Sequence, residues 1–144
     1  MVFGIGEGSI DIAVERVTFS HGETIKGKVV LSLSKPKKAK GLRIRLVADR
    51  EEAGYDSKGR ERRQIVVIYS KEDMLGQEQE YAAGKTEYPF EFLVPDLELP
   101  KPNELRIGPL SLQAGSSPLR WRLDASLDLP MALDINRKIG INVI

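Results

Sequence analysis

The sequence predicts an all-β domain, a sandwich of two antiparallel sheets with seven or more strands. Three observations carry that prediction. Apolar residues recur with a period of two in several separated runs, as strands with one face on a core require. Clusters of Gly, Pro, Asp and Ser punctuate the runs. The one stretch that reads as helical, Glu78 to Ala83, is bracketed by Gly76 and Gly84 within about two turns.

Taken in order, Ile10, Ile12 and Val14 are even-numbered, whereas Val17 and Phe19 are odd. The change of parity predicts a bulge around Glu15 and Arg16. After the Ser20-His21-Gly22 turn, Ile25, Val29, Leu31 and Leu33 alternate with Lys26, Lys28, Ser32 and Ser34. Pro36 and Gly41 flank the next turn, and Leu42, Ile44, Leu46 and Ala48 then oppose Arg43, Arg45 and Asp49. Asp56-Ser57-Lys58-Gly59 is a turn signal. Ile65 to Tyr69 is apolar on both faces, which predicts a central strand or one covered by a loop. Tyr88, Phe90, Phe92 and Val94 alternate with Pro89 and Glu91. The connection from Pro95 to Pro118 is the longest irregular one, with Leu105, Ile107, Leu110 and Leu112 expected to tack it onto the core. Trp121, Leu123, Ala125, Leu127 and Leu129 give the clearest strand, and Ile139, Ile141 and Val143 the last.

The composition bounds the chemistry. A chain of 144 residues with no cysteine reads as a single domain, residues 1–144, able to bury a core without disulfides or structural metal. Thiolate zinc sites, thiol nucleophiles and CxxC redox pairs are excluded, and His21 is the single histidine that any triad could use. The expectation is therefore not an enzyme, with no cofactor and no metal. Gly4, Gly6 and Gly8 precede a strand instead of opening a helix, so they do not form a phosphate loop. His21 reads as an exposed turn residue, and Glu51-Glu52 and Glu72-Asp73 as solvated charges without the ligand spacing of a calcium loop. The N-terminus reads as lacking the blocks of a secretory signal, and no apolar stretch is long enough to span a bilayer.

Net charge is only +1, from 22 basic and 21 acidic residues, but its distribution is uneven. Lys35, Lys37, Lys38, Lys40, Arg43 and Arg45 form a run with no acid, whereas Glu72 to Glu98 holds eight acids against Lys85 alone. The sequence thus predicts a polarised molecule. Lys35, Lys37, Lys38 and Lys40 are its candidate contacts for a partner or an anion. No aromatics interleave them, so nucleic acid is not expected.

Four stretches together resemble the N-terminal domain of arrestins and arrestin-like proteins: Gly22-Glu23-Thr24-Ile25-Lys26-Gly27-Lys28-Val29; Lys35-Pro36 leading to Gly41-Leu42-Arg43-Ile44-Arg45-Leu46; Tyr88-Pro89-Phe90-Glu91-Phe92 with Val94-Pro95; and Trp121 to Pro130 followed by Ile139 to Val143. The resemblance implies an immunoglobulin-like, arrestin-like β-sandwich acting as a non-catalytic adaptor or scaffold that binds a protein partner near a membrane, in the cytoplasm. His21 stands where relatives commonly have proline, and, read as a single domain, one copy is not expected to form the two-domain cradle of arrestins. The alternatives are a small hydrolase or transferase with a shallow site, or a ligand-binding β-sandwich module. The weakly charged segment Met1 to Gly8 is expected to pair as a strand with a second copy or with a partner, giving at least a weak dimer.

Overall fold

Alternation alone folds most of this chain. A computed structural model describes residues 8–97, 118–130 and 134–144, and among these residues there are ten strands and no helix. β1 (Gly8–Val14), β3 (Thr24–Leu33) and β8 (Gly84–Leu93) form an antiparallel sheet in the order β1-β3-β8. The facing sheet has five strands in the order β2-β10-β9-β5-β6, namely β2 (Thr18–Phe19), β10 (Ile135–Val143), β9 (Arg120–Asp128), β5 (Gly41–Tyr55) and β6 (Glu61–Gly76). It is antiparallel except where β2 meets β10. β4 (Lys37–Ala39) and β7 (Gln79–Tyr81) make a separate two-stranded ribbon. The sandwich is thus as expected, with one parallel pair and a small third sheet added.

The core lies where the parities placed it. Ile25, Val29 and Leu31 from the smaller sheet face Leu42, Ile44, Leu46, Leu123 and Leu127 from the larger, all essentially inaccessible to solvent. Phe90, Phe92, Val94 and Trp121 close its sides. Gly27 is required by contact: a Cβ there would collide with the carbonyl of Ala13 on β1 and the ring of Phe90 on β8. Gly22, with φ at +87°, makes the turn that returns the chain into β3, and its N–H bonds the carbonyl of Val94 at 2.9 Å. Pro89 lies on the edge strand β8, where a missing N–H costs no ladder bond on the open side.

Three expectations are corrected. The parity change at Glu15 and Arg16 is not a bulge: β1 ends at Val14 and the chain crosses to the other sheet, where Phe19 is buried but Val17 is half exposed. Glu78 to Ala83 is not helical, because Gln79–Tyr81 pairs with β4 and Tyr81 is buried, its hydroxyl donating to the carbonyl of Gln77 at 2.7 Å. Ile65 to Tyr69 is neither central nor covered among the described residues. It lies on the edge strand β6, with Ile65 and Val67 more than half exposed. The run looked two-faced because the β5–β6 register slips between Ala48 and Asp49: Ala48 pairs with Tyr69 and Asp49 with Val67, leaving Ile68 as the extra residue of a bulge. Met1 to Glu7 and Leu105, Ile107, Leu110 and Leu112 lie outside the described residues, whereas Gly8 opens β1 against Leu33.

Trp121 sits on the core face, 6.0 Å from the Tyr69 ring and 6.5 Å from His21 between ring centres. Trp121→Ala is expected to cost about 3–5 kcal/mol in urea unfolding, the usual range for emptying a large aromatic site. Native tryptophan fluorescence should be blue-shifted. Emission at the solvent-exposed wavelength, with an unchanged midpoint in the variant, would contradict this packing.

Candidate functional site

The lysine run is placed by β4 and the turns around it. Ala39 points into the core and therefore turns Lys38 and Lys40 outward, and the N–H of Lys40 is anchored on the carbonyl of Asp128 at 2.8 Å. Lys35, Lys38 and Lys40 are exposed and Lys37 is half-buried, so the four do not project equally. Pairing with β7 sets Lys38 directly opposite Glu80. Lys38 and Lys40 then line a pocket of ≈ 350 Å³ together with Glu78, Glu80 and Pro130. The sheet thus brings acids from the acidic half of the sequence against the basic run. The result is a surface of mixed sign, suited to a protein patch that carries both charges more than to an isolated phosphate.

The outer face of the five-stranded sheet carries a second constellation that the sequence reading missed. Arg45 meets Asp124 at 2.9 Å, Arg43 lies between Glu72 (3.4 Å) and Asp128 (3.2 Å), and both Arg120 (3.1 Å) and Arg122 bind the carboxylate of Asp49. Asp49 and Asp124 are each 4% exposed, as buried as the core, although they point away from it. The signal was present: Arg120, Arg122 and Asp124 share a parity, as do Arg43, Arg45 and Asp49, and antiparallel pairing matches opposite charges. These ion pairs clip β9 to β5 at the point where the sheet narrows.

Beyond that clip, among the described residues, two strands of the sheet continue. β9 pairs with β5 up to Asp49, and β5 and β6 continue without it to Tyr55 and Glu61 as a projecting arm. Asp56 builds the tip. Its carboxylate accepts the N–H groups of Lys58 and Arg60 at 2.9 Å and the Nε–H groups of Arg60 (3.1 Å) and Arg62 (3.2 Å), while Gly59 turns the chain with φ at +77°. A cross-strand pair of Arg63 with Glu51 (2.8 Å) and a pair along β5 of Arg50 with Glu52 (2.9 Å) support its sides. The arm exposes Tyr55 at its tip and Ile65 and Val67 along its outer face.

His21 is an exposed turn residue whose Nδ1 lies 2.9 Å from the carbonyl of Pro95, a structural contact between two turns. Of the acidic pairs, Glu51, Glu52 and Glu72 are spent on ion pairs with arginines. No group of three metal-ligating side chains occurs among the described residues. No described helix is long and apolar enough to cross a membrane.

A family model described as "Arrestin (or S-antigen), N-terminal domain" matches residues 8–144. Among solved structures, the chain is similar to Spo0M, a sporulation control protein from Bacillus subtilis, with 18% identity and a TM-score of 0.66 over 96% of this chain and 49% of that one. This chain therefore spans about half the length of that protein, and the likeness is one of fold. An alkylpurine DNA glycosylase, AlkC, from Pseudomonas fluorescens, bound to DNA with an abasic-site analogue, aligns over 95% of this chain and 31% of that chain, but with 14% identity and a TM-score of 0.38 it carries no argument. Comparison with curated proteins gives no match.

Removing the Asp49 carboxylate leaves two guanidinium groups without their shared acceptor. Asp49→Ala is expected to lower stability by roughly 1.5–3 kcal/mol, the range for a hydrogen bond to a charged group, read as a shifted urea midpoint. Two partly exposed carboxylates supply a pH test. Glu23 is held below its usual value of 4.5, first by hydrogen bonding to Arg16 and then by the Ser20 N–H; Asp56 is held below 3.8, first by the Arg60 N–H. A lowered folded-state pKa means a contribution that is complete above those usual values and lost as pH falls through the lowered ones. Glu23→Gln and Asp56→Asn should therefore lower the melting temperature at neutral pH and flatten its fall in acid. Parallel acid limbs in wild type and variants would contradict the assignment.

Proposed function

Since the chain belongs to the arrestin family through its N-terminal domain, we propose that it is a non-catalytic adaptor or scaffold of the cytoplasm that binds a protein partner near an anionic membrane surface. The observation that carries this reading is the β5–β6 arm. A two-stranded ribbon that leaves the sandwich buries too little to be maintained for its own stability. Here its sides are held by ion pairs and its tip by Asp56, so that Tyr55 is presented to solvent on a preorganised support. An exposed aromatic on a stiff ribbon is the kind of anchor that protein interfaces use, because little side-chain entropy is lost on docking.

The lysine surface is an accessory contact in this reading. Its three exposed lysines act at the range of a Debye length, so they add an attraction to acidic protein or anionic lipid that weakens with salt. Nucleic acid remains outside the proposal, because no aromatic stacks among these lysines.

A photo-crosslinking residue at position 55, compared with one at position 85 on β8, tests the arm in native lysate. Saturable adducts that form at 55, and are competed by unlabelled wild-type chain but not by Tyr55→Ser, are expected. Adducts alike at both positions would overturn the reading. Replacing Lys35, Lys37, Lys38 and Lys40 by Ser should leave the melting temperature within a few degrees by the usual scaling for a chain of this size. Sedimentation with anionic vesicles should weaken in that variant and, for wild type, fall as salt rises; binding that is indifferent to both would remove the lysines from the function. Turnover of generic ester, phosphate or glycoside substrates would favour a hydrolase instead.

A further inference from the structure

β6 ends the five-stranded sheet, so the outer side of a sixteen-residue strand faces no other strand among the described residues. Its charges and its bulge are devices that usually keep such an edge from pairing. In this strand the two devices fit each other. In an antiparallel pair of two β6 strands about a two-fold axis at Val67, simple counting would set Arg63 against Lys71 and Glu61 against Asp73, which repel. The extra residue at Ile68 changes that register. With Ile68 and Tyr69 of one copy together opposite Val66 of the other, Ile65 meets Ser70, Gln64 meets Lys71, Arg63 meets Glu72 and Arg62 meets Asp73. No like charges are opposed from Arg62 to Asp73, and the two-fold repeats both ion pairs.

The faces agree as well. Arg63 and Glu72 stand opposite Ala53 and Arg45 on β5, which share the outer face, and Arg62 and Asp73 stand opposite Gly54 and Ile44, which share the inner one. Directly opposed residues of an antiparallel pair must point to the same side. The bulged register satisfies this at every pair, whereas the unbulged one fails across Ile68. We propose that the free edge of β6 is a homodimer interface, in which two copies of this chain join their five-stranded sheets edge to edge about Val67. The arm of each copy, which β9 does not flank past Asp49, then lies against the body of the other. The exposed Ile65 and Val67 gather at the centre, and Arg62 and Arg63 share their present carboxylates with those of the second copy. This proposal stands apart from the partner reading of Tyr55.

Sedimentation equilibrium of the full chain over a range of concentrations should show monomer and dimer. Arg62→Glu with Arg63→Glu should raise the dimer Kd at least about tenfold, equivalent to ~1.4 kcal/mol. Glu72→Arg with Asp73→Arg should do the same. The quadruple variant, or an equimolar mixture of the two doubles, should recover the dimer, which a merely destabilised fold would not do. Because the chain has no cysteine, Val67→Cys places a thiol opposite itself at a Cα separation of about 4.5–5.5 Å, within disulfide reach. It should oxidise to a covalent dimer much faster than Tyr55→Cys. A monomer at every concentration, a dimer unaffected by either charge reversal, or equal oxidation at positions 55 and 67 would overturn the proposal.

Discussion

Strand β5 is the element on which the rest depends. Leu42, Ile44, Leu46 and Ala48 project into the core with essentially no exposure, and hydrogen bonding on both sides ties the same strand to β9 and β6. Burying four consecutive inward positions fixes register strongly, since a slip of one residue would expose all of them and bury arginines. The lysine turn before it, the ion pairs on its outer face and the arm beyond it are all positioned by that register.

The change at Asp49 has consequences in two directions. Up to Ala48 the strand is held by the core; past Asp49 β9 no longer pairs with it, and charge takes over from packing. The Asp49 carboxylate between two guanidiniums marks the handover, and the bulge at Ile68 lies directly across from it. A bulge increases local twist and re-aims side chains. Here it turns Tyr69 inward against Trp121 while leaving Val67 outward, so one irregularity both completes the core and creates an exposed apolar strip. Such a division separates the packed body of the sandwich from the charged arm.

The charges divide along the same line. On the body they are paired and partly buried, and they zip strands together. Around β4 they are exposed, and the ribbon with β7 mixes their signs. A cation run in sequence is therefore not a cation patch in space, because Glu78 and Glu80 come back beside it. Any partner of that surface meets both signs within a few residues, which favours selectivity over simple attraction.

By itself the sequence determined the fold class and most of the core, because each rests on local alternation that survives any topology, while the family resemblance rested on four motif stretches in order. Leu42 to Ala48 and Trp121 to Leu129 needed only their parity to be placed inward. Turns at Gly22 and Gly59 were legible from residue type, since few side chains tolerate their φ angles. What only the tertiary structure decided is which strands stand side by side. The Asp49 clip needs β9 against β5, across 71 residues of chain. The exposure of Ile65 and Val67 needs β6 at the edge, and two apolar faces in sequence could not distinguish a buried strand from one interrupted by a bulge. The crossing at Glu15 read as a bulge for the converse reason: a switch of sheets and an inserted residue both reverse parity, and one-dimensional periodicity carries the reversal without its cause.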